Sequence, residues 1–581
     1  MNNAQTDAPT PRKPLRLLPG VVIAILLLLV RFALPAIAPQ AIMIAMIGEV
    51  VGALAIVLWW LFFSRAPWAE RVGALVVMIV VLVATKRVVH ASIAGGAMGM
   101  LLFMIAIPVL CVALVAWAVA TRRLSAAPRR LALVATAVFA CGVFTLIRTG
   151  GLTADAGSDF HWRWTKTPEQ RLLAQAGDEP LATATLPSAP EAGNAGDDWP
   201  GFRGANRDDV VRGVRIKTDW SASPPAEMWR RPVGPGWSSF AVRGGLIYTQ
   251  EQRGDEEIVS CYDLKTGKPV WRHGDAARFW ESNGGAGPRA TPTISNGRVY
   301  TLGATGILNV LDAATGAVVW SRNAATDTGA KLPGWGFAAS PLVAGDLVVA
   351  ATSGSLVAYN LADGNPRWLG PRGGASYSSP QALTIDGVAQ VLLLSVTGAT
   401  SVGLADGKLL WEHAWSAWPG VPIIQPAVVA GGDVLLSVSD SSGVRRLSVA
   451  RGADGWKAAE RWTSEDLNPY FNDFVVHNGY AYGFDGDVLS CIDLSDGKGK
   501  WKGGRYGHGQ LVALSDEDLL LVQTETGELA LVKASPEQFT ELARFHALEG
   551  KTWNHPVIVG DVLLVRNDHE MAAFHLSPAD R

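Results

Sequence analysis

Only four cysteines occur in 581 residues, charged side chains make up just 18%, and the formal net charge is −2. So few thiols exclude a disulfide framework as the main source of stability. Cys111 and Cys141 fall inside apolar stretches, where cysteine acts as a small hydrophobe. Cys261 and Cys491 occupy the same place in two distant copies of a repeat, so no bridge between them is expected. No CxxC, HExxH or comparable metal spacing is present. With charge near balance, nucleic acid is discounted as a partner, because that binding rests on clustered Lys/Arg that neutralise phosphates.

The scarcity of charge is matched by 49% apolar residues, and the excess lies almost wholly before Gly150. The chain also exceeds what one hydrophobic core supports. The expected division is a membrane anchor of five transmembrane helices over 1–150, a linker over 151–197 and a globular domain over 198–581. The five apolar stretches are Leu18 to Ile37, Ala41 to Phe63, Val72 to Val89, Ile93 to Ala120 and Leu131 to Ile147. Each is near the roughly 20 residues needed to cross the hydrocarbon core.

Basic residues at membrane flanks stay on the cytoplasmic side. Arg12, Lys13, Arg16, Arg65, Arg71, Arg122, Arg123, Arg129 and Arg130 share one side, whereas the other has Arg31, Lys86, Arg87 and Arg148. This places the amino terminus inside and everything beyond Gly150 outside, the arrangement of a multi-pass protein of a bacterial inner membrane with a periplasmic carboxy-terminal domain. If the first stretch were instead a cleaved signal peptide ending near Ala36-Ile37-Ala38, the large domain would still lie outside. Membrane lipid is therefore the first expected partner. Glu49, the single carboxylate within the spans, is expected to face a neighbouring helix and pair with a hydroxyl or a basic group such as Lys86 or Arg87, a proton or quinone role being the alternative.

From Thr153 to Asp198 the composition is that of a linker, interrupted by the aromatic run Phe160-His161-Trp162-Arg163-Trp164 and by a short helix expected over Thr167 to Ala176. Aromatics at this place suit the membrane interface.

A repeat dominates the second half. Cys261-Tyr-Asp-Leu-Lys-Thr-Gly-Lys-Pro-Val-Trp271 returns in phases ending at Trp320, Trp368, Trp411 and Trp501, with weaker copies ending at Trp462 and Phe545. Each copy reads as strand, positive-φ turn at Asp/Ser/Thr-Gly, and strand anchored by tryptophan. With Trp229, eight anchors fall 39 to 51 residues apart, the period of a four-stranded blade. Trp229 lacks inner strands before it, and these are expected at His555 to Val565 and Met571 to Leu576. An all-β, eight-bladed propeller closed by its amino-terminal strand follows, and closure removes exposed sheet edges.

These phrases resemble the pyrroloquinoline-quinone repeat over roughly residues 198 to 577. That motif builds the blades of quinoprotein alcohol and glucose dehydrogenases and of the outer-membrane assembly lipoprotein of the β-barrel machinery. Five membrane helices ahead of a propeller also resemble membrane-bound quinoprotein glucose dehydrogenase. The opening Asp198-Trp-Pro-Gly-Phe-Arg-Gly-Ala-Asn-Arg-Asp208, with Gly287 to Thr293 and Gly504 to Gln510, looks like a group of membrane-tethered bacterial propellers known by their repeat alone. The resemblance to the enzymes implies pyrroloquinoline quinone with calcium as cofactor, and oxidation of an alcohol or sugar with electrons passed to membrane quinone. The resemblance to the lipoprotein implies instead a module that binds an envelope protein or small ligand at its rim. Against the enzymes, the eight blades leave little room for inserted loops, no adjacent Cys-Cys pair occurs, and no calcium-binding Glu/Asn set with a catalytic Asp aligns.

Loops leading into the innermost strands of a propeller share one rim. That register holds Trp237, Arg289, Trp335, Tyr377, Asn472, Asp473, His508, Gln510, Trp553, Asn554 and His555. Such a mouth would suit a flat, anionic or quinone-like ligand through stacking and charge-assisted hydrogen bonds. The alternative is that these residues only start each strand and plug the channel. Asp473 could serve as a general base if His508 or Arg289 stood beside it.

Overall fold

The structure, a computed structural model, describes residues 15–37, 42–154, 157–175, 198–417, 420–429, 431–438 and 442–579. Arg12, Lys13 and most of the linker lie outside the described residues. Two compact units emerge, one containing the apolar amino-terminal residues to Leu152 with the stretch to Thr165, the other containing 166 onward together with residues near Thr153.

The first unit is a helical bundle. Four helices, Ile44–Phe63, Trp68–Lys86, Leu101–Ala120 and Ala126–Thr145, are long and apolar enough to cross a membrane. A further apolar helical path runs over Leu18–Leu28, Leu29–Ala33 and Leu34–Ile37. Its neighbours meet at Trp59, Trp60 and Trp117, all buried, while residues such as Phe62, Ile79 and Phe139 face outward. That inversion is what an apolar solvent permits.

Local chemistry moves several boundaries. The third helix begins at Trp68 because Pro67 holds the extended N-cap, where its missing N–H costs nothing. The fourth stretch is not one helix. Gly96, Ala97, Met98 and Gly99 leave the right-handed helix, so Ala91–Gly99 is a separate short helix ahead of Leu101–Ala120. The fifth helix starts early, at Ala126, because Arg129 is stabilised by Glu70 at 3.1 Å and by the Trp117 ring. It also ends early, since Ile147–Leu152 pairs with Ser158–Trp162 as a hairpin that places Trp162 and Trp164 in a parallel stack. Glu49 does meet a basic group, but it is Arg31 at 3.6 Å and not Lys86 or Arg87. The expected short helix near residue 167 is present as Pro168–Gln175.

The second unit is an eight-bladed propeller. Blades 1 to 6 cover 241–275, 293–323, 342–372, 381–414, 427–464 and 475–505; blade 7 covers 510–546; blade 8 joins 557–575 to the strand Ala226–Pro232. Ala573 faces Trp229 in that last pairing, so the amino-terminal strand closes the ring as expected.

The repeated phrase proves to be an inter-blade latch. In blade 1, Asp263 accepts from the Thr266 amide and hydroxyl, and Gly267 sits at φ 66°. The indole of Trp229, from the preceding blade, donates to Leu264 O at 2.9 Å, and a Cβ on Gly267 would meet its ring at 2.6 Å. Trp271 repeats this with Ala313 and Gly316, Trp320 with Leu361 and Gly364, Trp368 with Leu404 and Gly407, and Trp462 with Leu494 and Gly497. Glycine is thus required twice, for its φ and for the ring that covers it. Blade 5 lacks the turn and has the long hairpin Val444–Gly452 with Gly455–Ser464. Accordingly Trp411 donates within its own blade, to Gln390 Oε1 at 2.8 Å.

The opening segment crosses the axis. Trp199 pairs with Val242 of blade 1, and Pro200 O accepts from Ile294 of blade 2 at 2.7 Å. Arg207 donates to Ser340 O and Pro380 O at blades 3 and 4, and Arg203 to Phe474 O at blade 6. Val210–Val211 then adds a parallel fifth strand to blade 7. Arg203, Gly204, Arg207 and Asp209 all take positive φ, which coils the segment tightly between the blades it bonds to across the axis.

Candidate functional site

Beyond this plug, the loops that enter the innermost strands form a belt. Tyr377 and Trp335 pack at 5.1 Å, and the Tyr377 hydroxyl accepts from the Trp335 amide. Arg289 Nε donates to Trp335 O at 3.4 Å, and its Nη2 meets Glu281 at 3.3 Å. Glu281 also accepts from the Asn283 and Gly284 amides, and Gly284 O accepts from the Trp237 indole at 2.7 Å. Trp237 packs on Trp553 at 4.8 Å, Trp553 on Phe471 at 5.0 Å, and Phe471 on His508 at 5.7 Å.

Lys551 Nζ stands 4.2 Å from the Trp553 ring centre and 5.0 Å from that of Trp237, and donates to Asn283 O. Burial pushes its pKa down to about 8, while the two indole faces favour the cation. Burial likewise lowers Arg289 to about 10 against the opposing pull of Glu281 and Glu257. The belt is thus a ring of half-buried aromatics with two cations fixed in it.

The floor beneath is polar. Asp473 accepts from the Gln425 amide at 2.6 Å and stands 3.6 Å from Arg203 and 3.9 Å from His555. Arg203 is held by Asp209, whose Oδ2 lies 3.6 Å from His555 Nδ1. Burial raises both carboxyls, and the outcomes differ. Asp473 stays above its ordinary value, whereas Arg203 and His555 hold Asp209 below it. Phe202 packs edge-on against His555 at 5.0 Å.

The neighbours found at Asp473 are therefore Arg203 and His555, not His508 or Arg289. His508 lies instead beside Glu525, its Nδ1 3.9 Å from Oε2. Gln510 donates to Trp553 O, Asn554 donates to Ser238 O, and Asn472 accepts from the Tyr470 amide. These three amides are buried under the belt. Phe471, Lys551, Glu281 and Glu525 were not read from the sequence. Phe471 and Lys551 could have been, since both lie in loops already singled out, next to Asn472 and two residues before Trp553.

The calcium–quinone pair implied by the resemblance to the dehydrogenases does not fit these residues. Among the described residues no three His, Cys, Asp or Glu side chains gather to hold a metal ion. Asp473 is engaged by Gln425, Arg203 and His555, Asp209 holds Arg203 and His555 through Oδ2 while its Oδ1 has no partner among the described residues, and the opening segment crosses the axis.

A family model described as outer membrane protein assembly factor BamB matches residues 219–458. The assembly factor of that name from Yersinia pestis is 24% identical over 390 residues, covering 62% of this chain and 91% of the relative. Its counterpart from Shewanella oneidensis is 30% identical over 208 residues, 33% of this chain and 48% of the relative. Among solved structures, a quinohemoprotein alcohol dehydrogenase from Pseudomonas putida HK5 superposes with a TM-score of 0.50 at 12% identity, over 68% of this chain and 84% of that one. BamB from Moraxella catarrhalis gives 0.45 at 15% identity, over 61% and 99%. At 12% identity the likeness to the dehydrogenase speaks for fold alone. The carboxy-terminal half is an eight-bladed β-propeller of the pyrroloquinoline-quinone repeat type, behind a helical amino-terminal bundle whose apolar helices fit membrane anchoring.

Proposed function

We propose that this chain is a multi-pass protein of a bacterial inner membrane whose periplasmic propeller binds an envelope protein at the belted mouth, as an assembly or sensing module. The observation that carries this reading is the belt over a filled axis. Half-buried rings of Trp237, Trp335, Tyr377, Phe471 and Trp553 with Arg289 and Lys551 fixed between them offer the aromatic and cationic anchors that concentrate binding energy at protein interfaces. The relatives named as outer membrane assembly factors support a protein partner, and the lack of a fitting calcium–quinone donor set weighs against the dehydrogenase reading.

The test is photo-crosslinking in cells from a reactive amino acid placed at Trp335 or Tyr377, with the outer-strand position Val319 as control. One envelope protein captured from both mouth positions and not from Val319 is the expected result. Stoichiometric binding of pyrroloquinoline quinone with calcium to the purified protein, with dye reduction by an alcohol or aldose, would replace this reading by the dehydrogenase.

A further inference from the structure

Between blades 1 and 2 lies a buried polar cluster that the latch does not use and that touches the mouth only through the pull of Glu257 on Arg289. Glu257 and Asp275 face each other across the outer strands of blade 1, and Thr301 and Asn309 across adjacent strands of blade 2. Directly opposed residues share a face, and Asn309 Nδ2 donates to Asp275 Oδ2 at 2.5 Å. All four side chains therefore point into one interblade layer. Glu257 Oε1 accepts from the Ala304 amide.

The remaining valences are unmet. Glu257 is 4% exposed, Asn309 2% and Thr301 1%. Glu257 Oε2, Asn309 Oδ1 and Thr301 Oγ1 have no hydrogen-bond partner among the described residues. Of the cationic groups nearby, Arg289 pairs with Glu281, and His273 sits 3.4 Å from Asp275 Oδ1, on the far side of that carboxylate from the Asn309 amide; neither makes an ion pair with Glu257. A buried carboxylate facing a second carboxylate and two neutral oxygens is completed either by a proton or by a cation that all of these oxygens can share. Asp275, whose side chain is 21% exposed, opens a route from solvent.

We infer that Glu257, Asp275, Thr301 and Asn309 form a cation site between blades 1 and 2, suited to calcium. The donors are all oxygens, which selects a hard cation. Their irregular spread over two blades suits calcium, which tolerates uneven geometry and accepts carboxylate, amide and water oxygens together, better than magnesium, which demands an octahedron. Burial, with Asp275 adding to it, pushes the Glu257 carboxyl up to about 7 against the Ala304 amide and Arg289. Calcium would compete with that proton. The inference does not depend on what the mouth binds.

The test uses the full-length protein in detergent, stripped with a chelator and titrated with calcium alone by equilibrium dialysis and thermal unfolding. One calcium per chain and a raised unfolding midpoint are expected. Glu257→Gln and Asp275→Asn should each weaken binding at least tenfold, and the exposed control Asp454→Asn should not. Absence of stoichiometric calcium, or binding that survives both substitutions, would overturn the site. So would a Glu257→Gln protein more stable than the stripped wild type when calcium shifts neither midpoint, because Glu257 would then be buried as a neutral acid.

Discussion

The propeller is built in two ways, by repetition at its perimeter and by single residues at its axis. At the perimeter the same indole covers the same kind of glycine five times and donates to the same kind of carbonyl. At the axis nothing repeats: Arg203 and Asp209 of the opening segment meet Asp473 and His555 from two other loops, once. The perimeter derives its strength from apolar burial, so its contribution varies little with pH. The axis rests on charge balance in a dry interior, so its contribution changes as protons come and go.

Substitutions can sharpen or break that contrast. The largest effect is expected of Trp271→Ala, which removes a buried ring and its bond to Ala313 O; a loss of about 4 kcal/mol is expected from such truncations, equal at pH 5 and pH 8 when tryptophan fluorescence follows denaturant unfolding. Next comes Arg203→Met, which leaves Asp209 and Asp473 buried without their cation at a cost of about 3 kcal/mol. Here the sign follows from linkage. In the wild type, Asp209 has a depressed pKa, so its contribution is present above the ordinary carboxylate range and lost as pH falls through its folded value. Asp473 has a raised one, and its contribution is present at low pH and lost as pH rises. Without Arg203 both carboxyls favour the proton, so the deficit should be greater at pH 8 than at pH 5; a pH-independent deficit would erase the distinction between axis and perimeter. Gly316→Ala should cost about 2 kcal/mol, from left-handed backbone and from the Trp271 ring that its Cβ would meet at 2.5 Å. The smallest effect is expected at one indole: Trp368→Phe should lose about 1.5 kcal/mol in the same unfolding assay, because the bond to Leu404 O and part of the ring over Gly407 disappear while an aromatic ring remains.

The same contrast explains what was legible beforehand. Eight anchors gave eight blades because the latch is written in contiguous residues, and Trp229 pointed to ring closure because no inner strands precede it. The path of the plug was not legible. It depends on contacts such as Arg203 to Phe474, 271 residues apart, made by a segment with neither period nor strand pattern. Candidate mouth residues were proposed by register, which places a side chain near an opening without saying what it touches; the structure packs Trp237 on Trp553 and Trp335 on Tyr377, while the company of Asp473 was not legible. In the membrane bundle, hydropathy marked the apolar runs but could not see the break at Ala97 and Met98, since an apolar run reads alike whether continuous or interrupted.

Ala226–Pro232 is made before blade 1, yet hydrogen-bonds to Glu570–His575 at the far end of the chain. Until synthesis is all but complete, this segment and the growing stack of blades each present an open ladder of amides and carbonyls to any neighbouring strand. Each nascent copy must therefore keep its first strand waiting for its last. A chain cut short before residue 570 would retain both sticky ends, and would be recognised by its tendency to join other chains instead of itself.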